Sequence, residues 1–329
     1  MEVIRVEDAE AGLLAFIAMD AQRRWPAFGG VRRVRYVDEG AAVSDARRLA
    51  RAMTHKLSIA RLPAVGAKTV IMDRPGLVRA KGYACLGRRI EALGGRYVCG
   101  PDVGTGGDEL ALLRRQTRHV NPAGNDAGRA TARGVLAAIR GLCAVRFGSN
   151  QVRDLSFGIE GLGSVGMAVA KELVASGASV SATDLQAGCV AEARREGITH
   201  LSGDSLWTGA WDVLVPCAMG DCLSAARVER LRVRGVCGSA NNQLRHEGLA
   251  SVLQRRGVLW VPDVVASAGA VIEGVLTVAG GRTAETLRAV AERIDHIEVT
   301  TRVLLSDSMQ RDESPLDGVQ RQICGDRGR

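Results

Sequence analysis

The stretch LSFGIEGLGSVG, residues 155–166, decides the architecture. LSFGI is an apolar run of strand length, and Gly161, Gly163 and Gly166 follow it in the spacing G-x-G-x-x-G, at the start of a helical pattern over 165–175. Strand, glycines and helix in that order form a dinucleotide-binding turn. The glycines permit a tight bend and close approach of backbone to a pyrophosphate, whose charge rests on the helix N-terminus. The next strand pattern, SVSATD, ends at Asp184, 23 residues after Gly161. A carboxylate there accepts hydrogen bonds from a ribose 2′-hydroxyl and repels a 2′-phosphate, so NAD is expected rather than NADP. The competing reading, in which the glycines merely let helix and strand pack closely, is the weaker one once Asp184 is in place.

Outward from this unit, β and α patterns alternate strictly. A helix at 188–196, WDVLVP (211–216), VRGVCG (233–238), a helix near 246–255 and VLWVP (258–262) predict a doubly wound parallel sheet. Toward the N-terminus, Ser44 is placed to cap a helix with apolar positions at Ala46, Leu49, Ala50 and Met53, ending near Lys56. A loop, SIARLP, then leads to the strand AKTVIM (67–72), a helix over 77–93 and a strand, RYVC (96–99), that runs into PDVGTGGDEL. NPAGNDAGR (121–129) reads as a loop between domains. The expected fold is α/β with two domains: a substrate-binding α/β domain over 1–130 and a Rossmann-type NAD domain over 131–282, with helices over 283–329 packing back on the first.

Composition excludes several classes. With 329 residues and 46% hydrophobic content the chain supports two cored domains and is not disordered. MEVIRVEDAE lacks a basic leader region and LLAFIAM is too short to span a bilayer, so a cytoplasmic protein without membrane association is expected. The eight cysteines (85, 99, 143, 189, 217, 222, 237, 324) show no zinc spacing and read as buried reduced thiols. The histidines at 55, 119, 200, 246 and 296 likewise show no metal pattern, and no metal site is expected. The net charge of +8 is spread as Arg-Arg pairs and aromatic content is 3%, so solvated helix faces are expected rather than a nucleic-acid surface.

The use of lysine is unusual. Of 44 basic residues only Lys56, Lys68, Lys81 and Lys171 are lysines. Arginine stays charged, whereas a lysine that is buried or set beside another cation can lose its proton near neutral pH. Lys56, Lys68 and Asp102 lie at or near the ends of three successive elements, and if they converge they suit a zwitterionic substrate: one lysine for a carboxylate, one as a base, Asp102 for an amino group. Alternatively, Asp102 only caps the turn DVGTGG. In GSANNQL (238–244), Asn241 and Asn242 follow a strand end and can orient nicotinamide and substrate without titrating.

These pieces resemble one family. PAFGG (26–30), MTHK (53–56), GAKTVI (66–71), GRYVCGPDVGT (95–105), GLGSVG (161–166), ATD (182–184), PCAMGD (216–221), GSANNQL and PDVVASAGAVI (262–272) are similar, in order and separation, to the leucine, phenylalanine and valine dehydrogenases, relatives of glutamate dehydrogenase. The resemblance implies reversible oxidative deamination of an apolar L-amino acid to the 2-oxo acid and ammonia, with NAD, in a homo-oligomer. It further implies that Lys56 binds the substrate carboxylate, Lys68 is the general base and Asp102 contacts the amino group. The Gly29 and Gly30 backbone would line the site, Thr131 would meet the nicotinamide carboxamide, and Asn242 would help orient substrate and cofactor. Ser164, Val165, Ala218 and Asn241 join the three glycines and Asp184 at the cofactor. Phe28, Gly100, Val264 and Val265 are expected to set side-chain selectivity. The chain departs from the family pattern at Val65-Gly66-Ala67-Lys68, which is expected to add side chains where backbone meets substrate, at GNDAG (124–128) and at Ser267-Ala268-Gly269-Ala270. The alternative reading is a specialised or non-catalytic NAD-binding paralogue.

Overall fold

Two antiparallel strands, β1 (Glu2–Asp8) and β2 (Leu13–Met19), open the chain in a computed structural model that describes residues 1–20, 25–202 and 204–327, with side chains through Ile323. β3 (Ala27–Val34), α1 (Glu39–Ile59), β4 (Val65–Met72), α2 (Arg79–Glu91), β5 (Tyr97–Gly100) and α3 (Gly107–Arg114) follow. The strands form one mixed sheet in the order β1-β2-β4-β3-β5, in which β4, β3 and β5 run parallel. LLAFIAM is the strand β2 and is buried along its whole length. Leu13, Ala15, Ile17 and Met19 join the cluster that holds α2 and α3 residues, while Leu14, Phe16 and Ala18 join Ala42, Ala46 and Ala50 of α1. Covered on both faces, this strand carries no polar alternation.

Helix α1 starts earlier than the sequence suggested. Asp38, rather than Ser44, is its cap, its carboxylate accepting from Ala41 N at 2.7 Å, and the helix runs past Lys56 to Ile59. At Gly66 a β-carbon would lie 2.1 Å from the Ala50 carbonyl oxygen, so α1 seats directly on β4.

The second part comprises α4 (Ala127–Phe147), β6 (Ser156–Glu160), α5 (Ser164–Ala175), β7 (Ser179–Thr183), α6 (Ala187–Arg195), β8 (Thr199–His200), α7 (Ser205–Thr208), β9 (Ala210–Pro216), α8 (Ala225–Arg230), β10 (Arg232–Val236), α9 (Leu249–Arg255), β11 (Leu259–Trp260) and α10 (Asp263–Ala266). Its sheet is wholly parallel in the order β11-β10-β9-β6-β7-β8, which reverses direction between β6 and β9. That is the doubly wound arrangement, with its crevice at the carboxyl end of β6. The chain ends in α11 (Gly269–Gly280), α12 (Ala284–Asp295), α13 (Ile297–Arg311) and α14 (Pro315–Arg327).

The unit boundaries differ from 1–130 and 131–282. One compact unit is Met1–Asn125 with Val271–Val290, and the other is Asp126–Ala270 with Ala291–Arg329. The division precedes α4 because Asp126 caps that helix, accepting from Arg129 N at 3.0 Å, and the helix is continuous to Phe147. The expectation that helices over 283–329 pack on the first domain holds only as far as Val290. Beyond it, Arg133 pairs with Asp295 and Arg140 with Glu298, and a β-carbon at Gly141 would lie 2.5 Å from the Glu298 carbonyl oxygen, so α13 lies flush on α4. The segment that returns to the first unit is held by Asn125 Nδ2, which donates to Thr277 Oγ1 at 2.7 Å and to Asn121 Oδ1 at 2.9 Å.

Among the described residues no helix is long and apolar enough to cross a membrane, and no cluster of metal-ligating side chains occurs. Seven cysteines are free thiols, and burial pushes Cys99, Cys143 and Cys222 up to about 12. The Cys324 side chain lies outside the described residues.

Candidate active site

In the first unit, pleating sorts the functional positions. Val65, Ala67 and Ile71 of β4 and Ala27 and Val31 of β3 belong to the cluster beneath α2 and α3. Phe28, Gly30 and Arg32 of β3, Lys68 of β4 and Gly100 of β5 therefore share the opposite face, where α1 brings Asp45 to Arg32. This corrects the expectation for the VGAK segment: Val65 and Ala67 point away from Lys68 and fill the core.

Asp102 lies just beyond β5, in a turn closed by Thr105 N donating to Asp102 O at 2.9 Å. The turn is fastened at three points. Arg33 N donates to Val103 O at 2.8 Å, Arg33 Nε to Gly104 O at 3.2 Å, and the Thr105 and Tyr83 hydroxyls are 2.6 Å apart. Gly104 adopts φ +74°, and a β-carbon there would lie 2.2 Å from Arg33 O. The turn is held largely by its backbone, and the carboxylate, which also meets the Val103 N–H, reaches further partners. Lys68 Nζ lies 2.5 Å from Asp102 Oδ2, and Arg32 Nε donates to the same oxygen at 3.0 Å. Arg32 also pairs with Asp45 Oδ2 at 3.5 Å, and Tyr36 donates its hydroxyl to that carboxylate at 2.7 Å.

The electrostatics follow from burial and neighbours. Burial lowers Lys68 below the ordinary lysine value against the pull of Asp102, and Arg32 adds to the lowering. For Asp102, burial alone would raise the carboxyl, but Lys68 and Arg32 outweigh it and hold the group ionised, below the usual carboxylate range. The result is a lysine inclined to give up its proton beside a carboxylate that keeps its charge.

Space around this pair is tightly shaped. A β-carbon at Gly30 would lie 2.7 Å from Pro101 O, 2.9 Å from Asp102 Cβ and 3.3 Å from Lys68 Nζ. At Gly29 one would lie 1.8 Å from Ala67 O, and Tyr97 donates its hydroxyl to Gly29 O at 3.1 Å. Lys56 is buried on α1. The Phe28 ring approaches Gly274 of α11, where a β-carbon would lie 3.0 Å from Phe28 Cε1 and 3.3 Å from Asn121 Oδ1. Arg32, Asp45, Tyr36, Asn121 and Gly274 were not singled out in the sequence. Arg32 sits inside the basic run GGVRRVRY, and only the alternation 28, 30, 32 along a strand marks it. Glycine inside the helical pattern VIEGVLTV was the available signal for Gly274.

In the second unit, each glycine of the loop has its own cause. Gly161 takes φ +89° with Ala218 close by, and Gly166 is pressed to 1.9 Å between its missing β-carbon and Gly161 O. Gly163 caps α5 and faces open space, as a backbone that must approach a ligand does. Asp184 accepts from Leu162 N at 2.6 Å and from Gln186 N at 2.7 Å, tying the loop to the end of β7. Ser164 and Val165 form the first turn of α5, and Thr131 lies in the second turn of α4. The donor set therefore fits a dinucleotide: free backbone N–H groups at a helix N-terminus, open space at Gly163 and a carboxylate at the neighbouring strand end.

Asn242 adopts φ +52°, and its N–H donates to Asp263 at 3.0 Å. Gln243, unmarked in the sequence, is fully buried and anchors this turn: it donates to Gly238 O at 2.9 Å and accepts from Trp260 Nε1 at 3.0 Å. Val264 and Val265 lie on α10 of this unit, Val265 fully buried. The structure brings Phe28, Gly29, Gly30, Lys68, Gly100 and Asp102 together in the first unit, to which the buried Lys56 also belongs. Thr131, Gly161, Gly163, Ser164, Val165, Gly166, Asp184, Ala218, Asn241, Asn242, Val264 and Val265 all belong to the second.

Two family models match the chain. Residues 2–119 match "Glu/Leu/Phe/Val dehydrogenase, dimerisation domain", and residues 186–314 match "Glutamate/Leucine/Phenylalanine/Valine dehydrogenase". Leucine dehydrogenase of Thermoactinomyces intermedius is 33% identical over 279 residues, covering 82% of this chain and 76% of that protein. Valine dehydrogenase of Streptomyces coelicolor is 35% identical over 288 residues, covering 83% and 78%. Among solved structures, L-tryptophan dehydrogenase from Nostoc punctiforme superimposes with a TM-score of 0.84 at 26% identity, over 98% of this chain and 94% of that one.

Proposed function

Because the chain belongs to the glutamate/leucine/phenylalanine/valine dehydrogenase family and is thereby an amino acid dehydrogenase, an oxidoreductase acting on CH–NH2 donors, we propose that it catalyses the reversible, NAD-dependent oxidative deamination of an apolar L-amino acid. The observation that carries the assignment of the chemistry is the buried pair Lys68–Asp102 at 2.5 Å, with Gly30 packed against both.

The dinucleotide, when bound, supplies the acceptor for the substrate's α-hydrogen. Gly161, Gly163, Ser164, Val165 and Gly166 hold its pyrophosphate, Asp184 its ribose, and Thr131, Ala218 and Asn241 complete its site. Asp184 supports NAD over NADP, since a carboxylate at the end of β7 opposes a 2′-phosphate. Lys56 binds the substrate carboxylate as an ammonium. Lys68, neutral in the working state, takes the proton of the water that attacks the imino carbon, and Asp102, held ionised, receives and returns protons at the departing amino group. Gly29 and Gly30 present backbone where a side chain has no room. Phe28 and Gly100 bound the substrate side chain in the first unit; the family resemblance assigns selectivity to Val264 and Val265 as well, and substrate orientation to Asn242. A homo-oligomer accords with a family whose N-terminal model is a dimerisation domain; the reading places the enzyme in the cytoplasm.

The experiment is NADH formation by purified protein with NAD and each common L-amino acid, at alkaline pH where a lysine base is active. Turnover with a set of apolar amino acids is expected, and Lys68→Arg, which keeps charge but cannot act as the base, is expected to abolish it. An inert wild type that still binds NADH would refute the proposal in favour of a non-catalytic paralogue.

A further inference from the structure

Arg32 has no assigned part in this chemistry, yet it shares a single carboxylate oxygen with the base. Its Nε and Lys68 Nζ lie 3.0 and 2.5 Å from Asp102 Oδ2, so the two cations are about 5.5 Å apart or less. Only 19% of the Arg32 side chain is exposed, and the same guanidinium reaches Asp45 on α1, itself braced by Tyr36. The fork therefore spans β3, the turn after β5 and α1, the three elements that frame Lys68. We propose that Arg32 is a positioning residue for the deamination: it fixes the Asp102 carboxylate against Lys68 and, as a permanent positive charge, keeps Lys68 available as a base. The inference rests on the proposed function for its catalytic meaning, though the electrostatic part stands on geometry alone.

Three charged side chains act on Lys68. Asp102 and Asp45 favour its charged form, and Arg32 opposes it. Strand β2, which pairs beside Lys68 at Ala18, has no ionisable side chain, and α1 contributes Asp45. Desolvation and Arg32 act in the same direction on Lys68. Lysine in place of Arg32 would keep the charge but lose the planar fork that holds two carboxylates at once.

The chain's four lysines make the test direct, because a protein labelled with 13Cε-lysine gives four resonances, and Lys68→Met identifies the one of interest. In Arg32→Gln the Lys68 titration midpoint is expected to rise by about one pH unit or more, and the acid limb of kcat, below which Lys68 is protonated and idle as a base, should move up with it. Arg32→Lys is expected to keep the wild-type midpoint while kcat falls and KM changes little. An unmoved midpoint in Arg32→Gln overturns the electrostatic role, and wild-type kcat in Arg32→Lys overturns the positioning role even if the glutamine variant fails to fold. The titration needs no turnover, so an inactive wild type would count against the functional reading and leave the Arg32 result to be judged by the midpoint.

Discussion

Asp102→Asn removes the one negative charge that Lys68 and Arg32 share while preserving its shape. The side chains of Lys68, Asp102 and Arg32 are 7%, 17% and 19% exposed, so the loss falls in the range for breaking a buried pair, about 3–5 kcal/mol. The lower end, about 3 kcal/mol, is expected because Arg32 retains Asp45. An unfolding entropy of roughly 2 cal/mol/K per residue over the whole chain converts this to a melting point about 4 °C lower at pH 7. The pH dependence is the stricter check. Lys68 is already lowered in the wild type, and without Asp102 its folded-state value falls further from the unfolded value of about 10.4. Across that window the unfolded chain binds more protons than the folded one, so stability rises with pH. The deficit of the variant is fully present below the folded-state value of Lys68 and shrinks as the pH climbs toward 10. Calorimetry of both proteins between pH 6 and 10 reads this out. A gap that stays constant over the range, or that is under about 0.5 kcal/mol at pH 7, would show that the charge on Lys68 is not balanced by Asp102.

Asp184→Ala removes the acceptor for Leu162 N and Gln186 N; fluorescence titration should show NADH binding weakened about tenfold, equivalent to about 1.4 kcal/mol, and a smaller preference over NADPH. An unchanged NADH to NADPH ratio would remove Asp184 from cofactor selection. Gly274→Ala pushes a methyl to 3.0 Å from the Phe28 ring and should cost about 1–3 kcal/mol, with altered ranking of amino acid substrates. Phe28→Leu in the same chain should restore part of that loss, and strictly additive single effects would show that the two positions do not share a pocket wall.

Much of the second unit was legible because its signals are local. A strand, three spaced glycines, a helix and a carboxylate at the next strand end lie within 30 residues, and backbone geometry alone explains each. Lys56 and Lys68 stood out for a chemical reason, the rarity of lysine, and Asp102 for its place just past a strand end. Arg32 was hidden by the same bias: among forty arginines one catalytically placed guanidinium carries no compositional mark. The strand β2 lacked the alternation that reveals half-buried strands, since α1 covers one of its faces and α2 and α3 the other. The start of α1 was misplaced because Asp38 and Ser44 are both competent caps, and only the backbone at Asp38, extended at φ −158°, chooses between them. The return of 271–290 to the first unit depends on Asn121, Asn125 and Thr277, a polar link between segments 150 residues apart that no local pattern encodes.

Strand β3 carries Phe28, Gly30 and Arg32 on one face and is laddered on both edges, to β4 and to β5. The spacing of the site is thus a frame set by two parallel ladders. A one-residue slip of this strand in its ladders would turn Arg32 toward the core and set Gly29 or Val31 in Gly30's place. Diversification of this protein, natural or engineered, therefore favours replacement along the frame over changes of its length.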